Sequence, residues 1–269
     1  MLDFIKAIIL GIIEGISEWL PISSTGHMIL VNELMKTQGS FLTTDVFLYV
    51  IQLGAILAIV TLYFHKLNPF APSKTKEEQR ATWSMWFKVV VACVPAAVIG
   101  LVLNDFMDHF ENPWVVSATL ILYGIAFLFI ERRNKTAIFV HTNDMTYKTA
   151  LLIGLFQVLS IVPGTSRSGA TILGAMLLGC SRELSAEFSF FLAIPVMFGV
   201  SLLKLVTNDY VMTGMEWGLL LVAMLVAYVV SMISVRFLVD YVKRHDFKVF
   251  GWYRIVLGIV VILFFSIFR

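Results

Sequence analysis

The sequence predicts an all-α polytopic membrane protein with six transmembrane helices and two re-entrant helix-loop-helix hairpins, arranged as an inverted-topology repeat. Three observations predict it. Of 269 residues, 59% are hydrophobic and only 14% charged, with a mean hydropathy of +0.87, outside the range of soluble domains. Six stretches, approximately 46–64, 86–103, 114–131, 186–205, 217–239 and 251–268, are apolar for long enough to cross a bilayer, whose ~30 Å hydrocarbon core needs ~20 helical residues. Two further stretches carry charge where a lipid-buried helix carries none, and they are copies of one another: AIILGIIEGISEWLPISSTGHMIL from Ala7 and ALLIGLFQVLSIVPGTSRSGATIL from Ala150.

Aligned without a gap, Gly11 falls on Gly154, Glu14 on Gln157, Ser17 on Ser160, Ser23 on Ser166, Thr25 on Ser168 and Gly26 on Gly169. An internal duplication accounts for this. Each copy is an apolar helical half, a Pro/Ser/Gly break (21–26 or 163–169) and a second apolar half. Non-helical backbone at membrane depth survives only where protein or a water-filled cavity covers it, so each copy is expected to dip in and return on the same side. Three spans follow each hairpin. Three is odd, so the second copy is inverted, giving one membrane domain (1–269) of two repeats, about 1–135 and about 145–269.

The positive-inside rule tests this arrangement. With the N-terminus on one side, the opposite side receives Lys66, Lys74, Lys76, Arg80, Lys88, Arg132, Arg133, Lys135, Lys148, Arg182, Arg236, Lys243, Arg244 and Lys248. The N-terminal side holds only Lys6, Lys36, Lys204 and Arg269, and its loop around Asp105, Asp108, His109 and Glu111 has no Lys or Arg. Both termini and the mouth of the first hairpin are therefore expected outside the cell. Trp83, Trp86, Trp114, Trp217 and Trp252 lie at expected span ends and suit interfacial anchoring. Arg254, three residues into the last span, is expected to snorkel to the cytoplasmic interface.

Other classes drop out. A net charge of +2, spread over short loops, makes neither the stripe nor the tail of a nucleic-acid binder. Cys93 and Cys180 have no CxxC or Cys/His spacing, so neither a disulfide framework nor a zinc site is indicated. The start MLDFIKAIILG lacks a clean cleavage pattern and is expected to be retained.

Ionisable residues at membrane depth are costly and read as functional. Glu14 and Glu18, four apart, project from one helix face. Two such carboxylates repel unless a cation sits between them, and a hard divalent ion such as Mg²⁺ or Ca²⁺ suits them; a solvated vestibule and an ion relay are the other options. Ser23, Ser24, Thr25 and His27 follow the first break. They suit either a helix N-cap or a hydroxyl nucleophile with its base, beside free amides that favour an anion. In the second tip Arg167 stands between Ser166 and Ser168 with no acid in its own segment. Its guanidinium fits phosphate or carboxylate oxygens, unless it pairs with Glu14 or Glu18 as a buried ion pair. The flanking Gly164 and Gly169 let backbone approach an anion.

ExxxE at Glu14 to Glu18, PxSSTGH at Pro21 to His27 and PGTSRSGAT at Pro163 to Thr171 closely resemble the undecaprenyl-pyrophosphate phosphatase family, the membrane-integral bacitracin-resistance type. The resemblance extends along essentially the whole chain, through DVFLYVIQLGAILAIV and SAEFSFFLAIPVMFG. It implies a bacterial plasma-membrane enzyme that removes the terminal phosphate of a polyprenyl pyrophosphate with a divalent cation, regenerating the lipid carrier of cell-wall precursors. It further implies that Glu14 and Glu18 hold the metal or move protons, that Ser24 and His27 supply the nucleophile and its partner, with Ser24 attacking and His27 as base preferred over His27 as nucleophile, and that Arg167 grips the pyrophosphate. Ser23, Thr25, Ser166 and Ser168 would line the substrate, and a homodimer is left open as the assembly. A lipid flippase or ion-coupled transporter on the same repeat is the competing reading.

Overall fold

The computed structural model describes residues 1–108, 110, 112–133, 136–207 and 211–268, and only the backbone of 101 and 104–108. His109, Glu111, Lys135, Arg269 and the side chains of Asp105 and Asp108, all used in the charge argument, lie outside the described residues. The regular structure described is helical apart from one isolated bridge between Phe139 and Cys180. In chain order the helices are α1 (Leu2–Ser17), α2 (Ser24–Met35), α3 (Asp45–Leu62), the single turn α4 (Phe64–Leu67), α5 (Lys76–Asp108), α6 (Pro113–Arg132), α7 (Tyr147–Val158), α8 (Arg167–Leu177), α9 (Arg182–Val206), α10 (Gly214–Val242) and α11 (Lys248–Phe268).

Helices α3, α5, α6, α9, α10 and α11 are long and apolar enough to cross a membrane, and they fall on the six expected stretches. The chain is a multi-pass membrane protein. Several helices begin earlier than the apolar stretches because polar capping residues extend them. Thr75 and Glu78 exchange hydrogen bonds ahead of α5, Thr213 and Glu216 form a capping box on α10, and the Ser181 hydroxyl accepts the Leu184 amide at α9. Such caps satisfy amides that a helix start leaves open. By contrast α1, α2, α7 and α8 have 16, 12, 12 and 11 residues, and at ~1.5 Å per residue each falls short of the ~30 Å core.

The packing partners of the two halves exchange. Helix α1 lies along α10, while α7, its counterpart in the alignment, lies along α5; α6 packs on α11 and α3 on α9. Matched glycines make both crossings close. A Cβ at Gly11 would stand 2.6 Å from the Ala223 carbonyl oxygen, and one at Gly154 only 2.2 Å from that of Ala92. Around them the core is aromatic, with Trp19 edge-on to Phe190 at 5.5 Å and Phe188 and Phe191 fully buried. At one end of the bundle the enclosed Glu131 carboxylate pairs with Arg182 at 2.5 Å and accepts the Phe247 amide at 2.9 Å, joining α6, α9 and the start of α11.

Trp83, Trp114, Trp217 and Trp252 are exposed, as anchors require. Trp86 departs from that expectation: it is half-buried and its indole N–H donates to the Leu67 carbonyl at 2.8 Å.

Candidate active site

Between the short helices α1 and α2, and again between α7 and α8, the chain turns through one strained serine. Ser23 has φ 74° and Ser166 φ 72°, matched positions in the duplication, and positive φ at a non-glycine residue is held only where the surroundings over-determine it. In both, the serine hydroxyl accepts the amide three residues on, Gly26 at 3.4 Å and Gly169 at 3.1 Å, so α2 and α8 begin on the same N-cap device.

Arg254 ties the two tips together. Its Nη1 donates to the Pro21 carbonyl at 3.2 Å, and Nη2 to the carbonyls of Gly164 at 3.0 Å and Thr165 at 2.8 Å. The guanidinium lies 5.5 Å from the Tyr123 ring centroid, and a Cβ at Gly169 would come within 2.9 Å of Nη1. This corrects the expectation that Arg254 snorkels to the interface. The residue is 0% exposed, because the carbonyls freed by two helix breaks need a donor where no water reaches.

Three of the candidate groups, Arg167, Glu18 and Ser24, meet across the same junction. Arg167, first residue of α8, donates from Nη2 and Nε to Glu18 Oε1 at 3.0 and 3.3 Å, and from Nη1 to the Ser189 carbonyl at 2.9 Å. Trp19 lies beneath the guanidinium at 5.9 Å. The buried ion pair, one of the two options open for Arg167, is thus formed with Glu18. The other carboxylate oxygen, Oε2, accepts the Ser24 hydroxyl at 3.4 Å. Glu14, one turn earlier, is buried with Oε1 unpartnered.

His27, three residues after Ser24 on α2, bonds to other groups. Its Nδ1 meets the Ser23 carbonyl and its Nε2 the Tyr253 hydroxyl, each at 2.7 Å. Ser23 and Ser168 are enclosed: the first caps α2, and the second reaches Ser166 at 3.1 Å and the Leu20 carbonyl at 3.4 Å. Glu14, Ser24 and Thr25 instead line a chamber of about 430 Å³ with Asn32, Tyr49, Gln52 and Phe265. Its lining includes Asp45 and Pro113, where α3 and α6 begin, the end expected on the outer face.

The carboxylates suit a divalent cation of a particular kind. Among the described residues no three His, Cys, Asp or Glu side chains gather into a metal cluster. Magnesium characteristically takes one or two carboxylates and completes its shell with water and substrate phosphate. Glu14 has a buried oxygen lacking a donor and could supply one such carboxylate; Glu18 could supply a second only on releasing Arg167 or Ser24.

Sequence reasoning named Glu14, Glu18, Ser24, His27 and Arg167 as candidates but passed over Tyr253, Ser189 and Trp19, which the structure sets against His27 and Arg167. The Ser189 contribution is a carbonyl, which no residue type advertises. Arg254 did carry a signal, a full charge inside an apolar span.

This chain matches the family described as bacitracin resistance protein BacA over residues 7–260. It is 57% identical to an undecaprenyl-diphosphatase of Lactiplantibacillus plantarum, covering 99% of each chain. It is 58% identical to an undecaprenyl-diphosphatase of Enterococcus faecalis, covering 96% of this chain and 95% of that one. One of Streptococcus mutans is 55% identical over 97% of this chain and 96% of its own. A match that runs over residues 7–260, and so spans both hairpin motifs of the sequence, places the chain in the bacitracin resistance protein BacA family.

Proposed function

We propose that the protein hydrolyses undecaprenyl or related polyprenyl pyrophosphate to the lipid monophosphate and inorganic phosphate, recycling the cell-wall lipid carrier. The observation that carries this reading is the line Arg167, Glu18, Ser24, in which a guanidinium from one hairpin, a carboxylate and a hydroxyl meet inside the protein. The names of the relatives support it.

The resting ion pair sets the order of events. A pyrophosphate brings more negative charge than one carboxylate, so its terminal phosphate draws the Arg167 donors from Glu18. Glu18 is then free to accept the Ser24 proton. The Ser24 oxygen attacks the terminal phosphorus, the bond to the bridging oxygen breaks, and the lipid monophosphate leaves. Water next attacks the phosphoserine, and Glu18 returns the proton to the serine oxygen as phosphate departs. Arg167 and the free amides of α8 stabilise the charge on the transferring group. Glu14, and Glu18 through the Oε1 that Arg167 has released, would hold Mg²⁺ or Ca²⁺, which when bound neutralises pyrophosphate oxygens, while Oε2 of Glu18 serves Ser24. Thr25, lining the chamber, and Ser166, half-buried beside Arg167, are the hydroxyls available to the substrate.

The halves are proposed to form an inverted repeat with two re-entrant hairpins. The exchanged helix partners, the matched strained serines and the four short helices support this. The chamber and both termini are proposed to face the outer side of the plasma membrane, where phosphate and water exchange freely.

Phosphate release by purified protein in detergent tests the function. Release with only one aqueous compartment present is expected; a pure flippase or carrier would release none.

A further inference from the structure

We infer that Tyr253 is a positioning residue for His27, a hydroxyl that lets the imidazole change its protonation without losing a hydrogen bond; this rests on the phosphatase reading. A carbonyl only accepts, so the Ser23 carbonyl 2.7 Å from Nδ1 fixes a proton on that nitrogen. In neutral His27 the lone pair therefore lies on Nε2, where the Tyr253 hydroxyl donates to it at 2.7 Å. The rings are nearly parallel, 14° apart with centroids at 5.6 Å. Ser24, the residue that His27 was expected to serve, turns its hydroxyl to Glu18 instead.

Two features make a tyrosine here more than packing. Tyr253 is 46% exposed in the second turn of an apolar helix, beside the anchor Trp252, where a phenol turns its ring to apolar surroundings and seeks a partner for its hydroxyl. Its hydroxyl has His27 as partner. A hydroxyl can also reverse its role, whereas the Ser23 carbonyl cannot. When the water that attacks the phosphoserine gives up a proton to Nε2, the Tyr253 oxygen accepts that N–H in a hydrogen bond and the phenolic hydrogen turns to a phosphate oxygen; the departing phosphate takes the proton back from Nε2. Every proton is conserved. The groups around the pair are Arg254 on the same helix, Tyr123 of α6 beneath Arg254, and Glu18 beyond Ser24, so among the described residues no carboxylate bonds to the imidazole to do this instead.

Tyr253→Phe keeps the ring over His27 and removes only the hydroxyl. Two measurements on the full-length protein in detergent test the proposal: phosphate release from a polyprenyl pyrophosphate, resolved into kcat and KM, and the carbethoxylation rate of His27 by diethyl pyrocarbonate, read peptide by peptide with the other histidines as reference. The expected result is a kcat lower by about 10- to 100-fold, the worth of one hydrogen bond to a charged group, with KM unchanged within about twofold, as for a group acting after binding. Carbethoxylation of His27 should quicken because the Nε2 lone pair is uncovered. A parental kcat, a change confined to KM, or an unchanged His27 rate would overturn the proposal. The two readings fail separately: an inactive parent chain sinks the phosphatase reading, whereas a variant as fast as an active parent sinks only the role of Tyr253.

Discussion

At Arg254 one guanidinium holds three carbonyls from two chain breaks that lie far apart in sequence. Replacing it by leucine leaves those carbonyls without a donor. Hydrogen bonds between helices inside membranes are worth ~0.6–1.7 kcal/mol each, so Arg254→Leu should destabilise the protein by about 2–5 kcal/mol, seen as a lower midpoint in SDS unfolding. An unshifted midpoint would show that the tips hold without it. At Glu14 the expectation differs in kind. Its unpartnered oxygen is relieved by losing charge, so Glu14→Gln should fold as well as the parent while needing a higher Mg²⁺ concentration for half-maximal phosphate release. The residue types of the site were legible in the sequence because charge inside apolar text stands out. Their partners were not: Arg254 bonds to carbonyls, and the Ser24 hydroxyl meets Glu18 rather than His27 because the strained Ser23 turn gives the imidazole a carbonyl of its own.

Among the elements, the crossings of α1 on α10 and α7 on α5 depend on side chains that are missing. With Gly154 the hypothetical Cβ lies 2.2 Å from the Ala92 carbonyl oxygen, a backbone atom that cannot rotate aside. Gly154→Val should therefore push α7 from α5 and lower both the SDS midpoint and phosphate release, whereas Gly199→Val, whose Cβ would meet nothing within 4 Å, should leave both near parental values. Equal behaviour of the two variants would contradict the packing account. Helix existence was readable from apolar runs, while the starts of α5, α9 and α10 were not, because polar residues carry those helices beyond their apolar cores. The contact partners of each helix likewise lie outside what a single run of residues encodes.

For the whole molecule, the account places the chamber outside the cell. In a background of Cys93→Ala and Cys180→Ala, a cysteine replacing Lys36 should react with an impermeant thiol reagent on intact cells, and one replacing Lys74 only after permeabilisation. The reverse pattern would invert the topology. More central is the claim that the two tips make one site, with Arg167 supplying the grip on pyrophosphate. Its most direct test is phosphate release from a polyprenyl pyrophosphate by purified Arg167→Ala, shown to be folded by its melting behaviour. The account predicts a loss of about 10²- to 10³-fold, the scale for removing one stabilising donor of transition-state charge; a variant that releases phosphate at the parental rate would contradict it.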